Sequence, residues 1–333
     1  MKKAPKVSLH FNELPFGPQP DVLAAAQQAC VDANRYPSWD MAELRSALAS
    51  YCHVPKDWIV VASGSSMIIH QVMIASGQKE VAYCWPSFAD YPAMAKGLRM
   101  KTQPTAVDEH GSCDLDDLLR HITDETSMVI VCTPNVPTGG IVTHQAMEKF
   151  LNQVPSHVTV LIDEAYADFA QGQDVVRAIE LVQKYPNVVI SRSFSKAQGL
   201  AGLRIGYAIA QSELAATIAA AGVTRFHISK PAHDAALSML KHADEMQERI
   251  KAIIRERSRL AQKLRDIGVT VVEGHGNFVW LPVGELAQKI TESLAAQGIL
   301  VTALQPFGVR ISVGTSENTD QLIAAWRNAD LPT

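Results

Sequence analysis

The feature that most constrains the fold is a series of short, continuously apolar runs that alternate with helical segments. These strand candidates are residues 58–62, 81–84, 127–132, 159–162, 188–190 and 207–210. Runs that are apolar at every position predict strands buried on both faces, and helices between them predict parallel connections. The sequence therefore predicts an α/β fold whose mostly parallel mixed sheet is sandwiched by helices, with a small C-terminal α/β domain added.

The rhythm of the sequence changes after Lys230-Pro231, where a long helical stretch runs to about residue 265. Strand and helix candidates follow it in a different order: strands 270–272 and 278–281, helix 285–297, strands 299–304 and 309–313, and a final helix from 317. This pattern predicts three parts. They are an N-terminal arm of residues 1–28 that packs with the small domain, a large domain of residues 29–230, and the small domain of residues 231–333.

The composition excludes several classes of protein. A formal net charge of −4 provides no basic face for nucleic acid, and no apolar run approaches membrane-spanning length. Five scattered cysteines without a C-x-x-C pair predict free thiols in a reducing cytoplasm. No histidine or cysteine cluster supports a metal site.

The most informative segment is residues 191–207, in which an apolar run leads into two serines and a lysine. Ser193, Ser195 and Lys196 are followed by a glycine-rich turn that contains Arg204. This combination suits pyridoxal phosphate, which carries both an anionic group and a carbonyl. The hydroxyls and the guanidinium would hold its phosphate, and the lysine would form a Schiff base with its carbonyl. A surface lysine near a strand end is the plain alternative for this motif alone.

Two further segments follow predicted strands and carry groups of the matching chemistry. Gly64, Ser65 and Ser66 open a helix, where free amides and the helix dipole favour an anion. Asp163 ends the 159–162 strand, at the edge of an open α/β sheet where ligands bind, and could pair with a protonated pyridine nitrogen. An ordinary turn and a helix-capping aspartate are the respective alternatives.

Two more motifs are consistent with a binding site. Asn135 lies between two prolines in a turn that could aim its amide at a ring oxygen, although a plain turn is the favoured interpretation of this motif alone. Arg310 lies within an otherwise apolar strand, and an arginine in that setting favours a carboxylate or phosphate partner.

Taken together, these segments resemble fold-type I pyridoxal-phosphate enzymes, and in particular the histidinol-phosphate aminotransferase family. The resemblance runs from Asn12-Glu13-Leu14-Pro15-Phe16-Gly17-Pro18 through Arg35-Tyr36-Pro37 to the segment around Arg310, and Ser193–Tyr207 is its most specific part. It implies that Lys196 is the Schiff-base lysine and proton shuttle, and that Asp163 pairs with the pyridinium nitrogen.

The resemblance also assigns the remaining roles. Asn135 and Tyr166 would donate to the ring oxygen, and Phe88 would stack on the ring. The phosphate would be held by Ser193, Ser195, Arg204 and the amides of Ser65 and Ser66. Tyr36 would reach the cofactor phosphate of a neighbouring subunit, which implies a homodimer with shared active sites. Arg310, with Asn277 nearby, would bind the carboxylate of the amino donor.

Two departures from the family pattern bear on the substrate. The phosphate turn lacks the acidic residue that is common in the family, because it reads Gly64-Ser65-Ser66-Met67. Thr302 stands where the family usually has an arginine that receives the phosphate of histidinol phosphate. We therefore expect an aminotransferase that acts on amino acids and 2-oxo acids, with an unphosphorylated substrate that bears a carboxylate, an aromatic acid among the candidates.

Two alternatives stay open at this point. A pyridoxal-phosphate-dependent decarboxylase or β-lyase would use the same cofactor motifs. A non-catalytic ligand-binding protein of the same fold is disfavoured, because the lysine, Asp163 and Arg204 are all present. The space near Thr302, Arg225 and His227 bears on the question, since a further cation there would favour a phosphorylated substrate.

Overall fold

A computed structural model describes residues 7–222, 227–272, 274–329 and 331. The strands are β1 (Val7–Ser8), β2 (Ile59–Ala62), β3 (Glu80–Trp85), β4 (Lys101–Ala106), β5 (Thr126–Cys132), β6 (Thr159–Asp163), β7 (Val188–Ser193), β8 (Gly206–Ile209), β9 (Phe278–Leu281), β10 (Ile299–Leu300), β11 (Thr302–Leu304) and β12 (Gly308–Ser312).

The α-helices are α1 (Pro20–Ala29), α2 (Ala42–Cys52), α3 (Ser65–Ala75), α4 (Asp90–Gly97), α5 (Leu115–Arg120), α6 (His144–Leu151), α7 (Ala178–Lys184), α8 (Ser212–Ala220), α9 (Lys230–Met239), α10 (Ala243–Arg265), α11 (Ala287–Ala296) and α12 (Ser316–Asn328). Short 3₁₀ turns lie at Cys30–Asp32, Lys56–Trp58, Ala167–Phe169, Ala201–Leu203 and Gly284–Leu286.

The central sheet has seven strands in the order β2-β8-β7-β6-β5-β3-β4. Strand β8 is antiparallel to both of its neighbours, β2 and β7, and all other pairs are parallel. The predicted mixed, mostly parallel sheet is therefore confirmed. Because β2 and β7 both oppose β8, they run in the same direction, so the carboxyl ends of β2, β5, β6 and β7 meet at one edge.

The continuous apolar runs are explained by burial on both faces of this sheet. Every residue of β5 is buried, with Val129 and Val131 packing into one hydrophobic core and Met128 and Ile130 into another on the opposite face. Side chains alternate between the faces of a strand, so a strand covered on both sides needs an apolar residue at each position. Each such side chain contributes about 1.5–3 kcal/mol when fully buried.

A separate core lies around the three-stranded antiparallel sheet β11-β12-β9. Helix α10 joins the two regions: Met246 and Ile250 pack near Tyr166, whereas Leu260 and Leu264 pack into the small sheet's core. Strand β1 pairs with β10, while α1 packs against α9. The division into residues 1–28, 29–230 and 231–333 stays a prediction.

Several predicted elements differ in the structure. Residues 270–272 form only an isolated bridge, in which Val272 pairs with Trp280. The long helical stretch after Pro231 is two helices, α9 and α10, and the 299–304 run divides into β10 and β11 at Val301. Strand β4 was not predicted because it is a polar edge strand, exposed along most of its length, and it lacks the apolar signal of its neighbours.

The prediction that all five cysteines are free thiols is wrong for one pair. Cys84, at the end of β3, forms a disulfide with Cys113, which lies 29 residues further along the chain. Cys30, Cys52 and Cys132 are free. Spacing along the sequence could not reveal the pair, because the β3–β4 and β4–α5 connections bring the two residues together only in the folded chain.

Candidate active site

A cavity of about 330 Å³ lies at the carboxyl edge of the central sheet, where β2, β6 and β7 end. Its lining is Phe11, Glu13, Ser65, Ser66, Phe88, Val136, Asp163, Ala165, Tyr166, Ser193, Ser195, Lys196, Ala201, Gly202 and Arg204. This volume falls in the range of small-molecule sites. The fold therefore brings together residues that are distant in sequence, and most of the predicted site residues are among them.

One end of the cavity is built to hold an anion. Helix α3 begins at Ser65, and the amides of Ser65 and Ser66 belong to its first turn, where no intrahelical carbonyl is available to them. A methyl group on Gly206 would lie 2.6 Å from the Ser65 nitrogen, and one on Gly64 would lie 2.5 Å from the Arg204 guanidinium. Both glycines are thus required for strand β8 and Arg204 to approach the start of this helix.

Hydroxyl groups and a guanidinium complete the anion-binding end. Ser193 ends β7, and its Oγ accepts a hydrogen bond of 3.0 Å from the Ser195 amide. Arg204 donates from Nη1 to Ser195 Oγ at 3.2 Å and to the Ala201 carbonyl at 3.0 Å. These contacts hold the hydroxyls and the positive charge facing the α3 terminus, an arrangement suited to a phosphate group.

Lys196 lies beside this anion-binding end, in the turn that follows β7. Its Nζ donates to the carbonyls of Phe11 (3.0 Å) and Asn12 (3.3 Å) and lies 5.6 Å from the centre of the Tyr166 ring. Burial, reinforced by the positive charge of Arg310, lowers the pKa of Lys196 to about 8. A larger fraction of this amine is therefore neutral and nucleophilic near neutral pH than of an ordinary lysine.

Asp163 ends the central strand β6 and is 4% exposed. Burial raises the pKa of its carboxyl to about 6, even though the Tyr91 hydroxyl and the Ala165 amide donate to it. The carboxyl thus lacks a strong cationic partner among the described residues. A protonated pyridine nitrogen would supply that partner inside the cavity.

Tyr91 was not predicted from the sequence. It is fully buried in α4, and its hydroxyl lies 2.6 Å from Asp163 Oδ2. Nothing in the sequence around Asp90-Tyr91-Pro92 marks it, since a tyrosine in an amphipathic helix is ordinarily a core residue. Its role arises because α4 packs against the end of β6.

The prediction for Asn135 is wrong, because its side chain does not reach the cavity. Its Nδ2 donates to the Pro86 carbonyl (3.0 Å) and to Thr138 Oγ1 (2.7 Å), while its Oδ1 accepts from Ser87 Oγ (2.7 Å). Both amide hydrogens are therefore used to hold the turn itself. The next residue, Val136, lines the cavity instead and offers no hydrogen-bond donor there.

Asn12, the first residue of the Asn12–Pro18 motif, connects the N-terminal segment to the site. Its Nδ2 donates to the Tyr166 hydroxyl (3.0 Å), its Oδ1 accepts from Ser312 Oγ (2.8 Å), and its carbonyl accepts from Lys196 and from Asn277 Nδ2. Burial raises the pKa of Tyr166 to about 12, so its hydroxyl keeps its proton and can donate into the cavity. Asn12 therefore binds several residues at or near the site, which explains why it belongs to the motif.

Arg310 projects from β12, directly opposite Thr302 in β11. Its Nη2 donates to the His10 carbonyl at 2.5 Å and to Thr302 Oγ1 at 3.3 Å, whereas its buried Nε has no hydrogen-bond partner. A buried N–H without a partner is costly, which indicates a ligand acceptor such as a carboxylate. Neither Arg310 nor Asn277 is among the residues that line the cavity; Asn277 is fully buried, and its Oδ1 also has no partner.

The remaining predicted residues lie in different settings. Phe88 lines the cavity and packs edge-on against Tyr91, with ring centres 5.4 Å apart. Tyr36 is 82% exposed and is not part of the lining of its own chain's cavity. Arg225 lies outside the described residues, and His227 bonds to the Val61 carbonyl at 3.0 Å rather than lining the cavity.

The cavity fits pyridoxal phosphate in charge, size and chemistry. The anion-binding end matches the phosphate of that group, and Lys196, with its lowered pKa, matches the aldehyde. The buried carboxyl of Asp163, which has no cationic partner among the described residues, matches the ring nitrogen. Phe88 provides an aromatic wall. The absent methyl groups of Gly64 and Gly206 let Arg204 and strand β8 lie close to the α3 amides that would bind the phosphate.

Two kinds of feature are absent from the described part of the chain. None of its helices is long and apolar enough to span a lipid bilayer. Within the same residues, no group of three or more His, Cys, Asp or Glu side chains is placed to hold a metal ion.

Comparison with known proteins agrees with this geometry. The family model described as aminotransferase class I and II matches residues 4–325. An aromatic amino acid aminotransferase from Corynebacterium efficiens is 39% identical over 324 residues, which cover 96% of this chain and 92% of that protein. Its namesake from Rhodococcus erythropolis is 38% identical over 320 residues, 96% of this chain and 88% of the relative.

Solved structures give the same result. The histidinol-phosphate aminotransferase from Sinorhizobium meliloti, in complex with pyridoxal 5′-phosphate, superposes with a TM-score of 0.91 at 26% identity, over 97% of this chain and 90% of the other. The enzyme of the same name from Clostridium acetobutylicum has a TM-score of 0.87 at 25% identity, over 97% of this chain and 99% of the other.

The curated relatives named above are aminotransferases, which favours transamination over the decarboxylase or lyase alternative and over a non-catalytic role. The predicted cofactor, pyridoxal phosphate, is confirmed by the family and by the structural neighbour that contains it. The chain belongs to the class I and II aminotransferases, as a pyridoxal-phosphate-dependent enzyme that transfers amino groups between amino acids and 2-oxo acids.

Proposed function

We propose that this enzyme is an aromatic amino acid aminotransferase that acts on unphosphorylated substrates. The observation that carries the proposal is the lining of the Lys196 cavity. Phe11, Phe88 and Tyr166 supply three aromatic rings, and the cations among the described lining residues are Lys196 and Arg204. Both cations, together with Tyr166 and Phe88, are committed to the cofactor, which leaves the Phe11 ring as the aromatic surface for the substrate.

The charges around the cavity argue against a phosphorylated substrate. Thr302 is uncharged, and its hydroxyl donates to the His10 carbonyl at 2.7 Å. The carboxylate of Glu13 also lines the cavity, and it would repel a second phosphate. Arg310 is therefore the cation that we assign to the substrate, through its free Nε, and one carboxylate satisfies it.

Lys196 is the residue that we assign to proton transfer. When bound, pyridoxal phosphate supplies the carbonyl that captures the amino group and the ring that takes up electron density from Cα. The amine of Lys196, with a pKa of about 8, is matched to taking a proton from the substrate Cα and returning it near neutral pH. Asn12 and Phe11 provide the carbonyls that hold the amine in its protonated state.

The ring-binding roles follow from the same lining. We assign the ring nitrogen to Asp163, which Tyr91 and the Ala165 amide help to keep ionised. The ring oxygen falls to Tyr166, because Asn135 is engaged elsewhere and Val136 has no donor. Ser193, Ser195, Arg204 and the α3 amides bind the phosphate.

The proposal includes a cytoplasmic homodimer in which Tyr36 reaches the phosphate site of the neighbouring subunit. Three large apolar side chains lie exposed within nine residues, Val31 (71%), Tyr36 (82%) and Trp39 (61%), which suits an interface. Mixed dimers of Tyr36→Phe and Lys196→Ala chains test this sharing. If Tyr36 acts across the interface, one site in each mixed dimer regains both residues and activity returns; no recovery on mixing would refute shared sites.

The substrate proposal is tested with a panel of amino donors and 2-oxoglutarate as the acceptor. We expect kcat/KM for phenylalanine and tyrosine to exceed that for histidinol phosphate and for aspartate. Lys196→Ala serves as the inactive control, because it removes the reacting amine. A panel in which histidinol phosphate is the best donor would refute the proposed substrate class, while leaving the aminotransferase assignment intact.

A further inference from the structure

Phe11 is a large apolar side chain that is 62% exposed and lines the Lys196 cavity. It belongs to the segment between β1 and α1, which also supplies Glu13 to the lining. A single exposed phenylalanine is unremarkable by itself. Its place at the reaction cavity, and the way its backbone is held there, give it significance.

The backbone on both sides of Phe11 is fixed by the groups that act on the substrate. The preceding carbonyl, that of His10, accepts hydrogen bonds from Arg310 at 2.5 Å and from Thr302 at 2.7 Å. The carbonyl of Phe11 itself accepts from Lys196 Nζ at 3.0 Å. The ring is therefore positioned by its main chain, next to both the carboxylate-binding arginine and the reacting lysine.

His10 supports the Phe11 ring. The two ring centres lie 3.8 Å apart with an angle of 41° between the planes, and Ser8 Oγ lies 3.1 Å from His10 Nδ1. Burial and the nearby Arg310 charge lower the pKa of His10, although Glu13 opposes them, so the imidazole is neutral near neutral pH. A neutral ring beside Phe11 makes a two-ring aromatic platform, of which Phe11 lines the cavity.

We propose that Phe11, backed by His10, is a specificity-determining residue that receives the aromatic side chain of the substrate. This inference rests on the proposed function. The amino group of a substrate is directed to Lys196 and its carboxylate to Arg310, so the side chain takes the remaining direction from Cα. Phe11 lies beside that direction, because the His10 carbonyl contacts Arg310 and the Phe11 carbonyl contacts Lys196. Offset or edge-on packing of two rings then favours aromatic over aliphatic side chains.

The test compares Phe11→Ala with Phe11→Trp and with a matched control, Leu286→Ala. Leu286 is also an exposed apolar residue, 43% exposed, but it lies outside the cavity lining. For each cofactor-loaded variant, kcat/KM is measured for phenylalanine and for leucine, and Kd is measured for 3-phenylpropanoate, an aromatic carboxylate that cannot react. Cofactor content and circular dichroism establish that the variants are folded.

An aromatic pair contributes about 0.5–1.5 kcal/mol, so Phe11→Ala should lower kcat/KM for phenylalanine by about 2- to 13-fold relative to leucine. The Kd of 3-phenylpropanoate should weaken by a similar factor. Phe11→Trp should retain the preference, and Leu286→Ala should leave it unchanged.

The outcomes separate the two proposals. A wild-type enzyme that prefers aromatic donors, together with a Phe11→Ala variant of unchanged phenylalanine-to-leucine ratio and unchanged 3-phenylpropanoate affinity, overturns the role of Phe11 alone. An equal loss for both donors also overturns it, since that result indicates a general effect on the segment. A wild-type enzyme without aromatic preference refutes the proposed function and this inference with it.

Discussion

Replacing Tyr91 by phenylalanine should raise the pKa of Asp163 and weaken cofactor binding in a pH-dependent way. The Tyr91 hydroxyl donates to Asp163 Oδ2 at 2.6 Å, and both residues are buried. A hydrogen bond to a charged group contributes about 1.5–3 kcal/mol. Because it stabilises the ionised carboxyl, its loss raises the pKa by about one to two units.

The pKa of Asp163 in the wild-type protein determines how much the substitution weakens cofactor binding. With the pKa of Asp163 at about 6 in the cofactor-free protein, the carboxyl is mostly ionised at neutral pH. An increase of about one to two units leaves about half to a tenth of it ionised, so affinity for pyridoxal phosphate should fall by about two- to tenfold. Well above the new pKa the difference between variant and wild type should disappear.

The assay follows the carbonyl stretch of protonated Asp163 by infrared difference spectroscopy, with Asp163→Asn to assign the band, and cofactor Kd by equilibrium dialysis across the same pH series. Tyr83→Phe is the matched control. Tyr83 lies in the same aromatic cluster, 5.8 Å from Tyr91 between ring centres, but its hydroxyl does not contact Asp163 in the described structure. An unshifted Asp163 band, or a Kd difference that persists at high pH, would refute the electrostatic reasoning.

Three further results are expected. The folded-state pKa of Asp163 lies above its usual value of 3.8, so the folded cofactor-free protein binds this proton more tightly than the unfolded chain does. The free energy of unfolding should therefore fall by up to about 3 kcal/mol as pH rises from about 4 to about 6, and urea titrations of Asp163→Asn should lack this decrease. Gly206→Ala places a methyl group 2.6 Å from the Ser65 nitrogen and should cost about 1–3 kcal/mol and much of the cofactor affinity, whereas Gly97→Ala, where nothing lies within 4 Å, should have neither effect; equal thermal stability and cofactor content in the two variants would contradict the close approach. Alkylation of the denatured, unreduced protein should label the three free cysteines, and Cys113→Ser should raise the number to four and cost about 3–4 kcal/mol for opening a 29-residue loop; mass spectrometry that finds five labelled cysteines in the unreduced wild-type protein would exclude the disulfide.

The fold class and the position of the site were accessible from the sequence because both depend on local patterns. Strands covered on both faces must be apolar at every position, and the ends of β6 and β7 were therefore visible as apolar runs, one of which stops before Asp163 and the other at Ile190, three residues before Ser193. Lys196 follows directly in the chain. The chemistry of these three residues already indicated a lysine and a carboxylate at one sheet edge.

The orientation of individual side chains was decided only in the folded chain. Asn135 and Val136 are neighbours in one turn, and sequence alone could not show which of them faces the cavity. Ser87 and Pro86, which follow strand β3, and Thr138 bind the Asn135 amide group and hold it in the turn. Adjacent residues of a turn direct their side chains differently. The groups that bind the Asn135 side chain include residues from another part of the chain, which the local sequence does not reveal.

The sequence by itself determined a doubly covered α/β sheet, the lysine that reacts and the anion-binding turn, because each depends on residues close together in the chain. The tertiary structure decided that Tyr91 supports Asp163, that Asn12 joins Lys196 to Tyr166, and that Phe11 lies at the cavity. These contacts join segments separated by 72 to 185 residues. Their partners are chosen by packing of the whole chain, which leaves no periodic pattern in the local sequence.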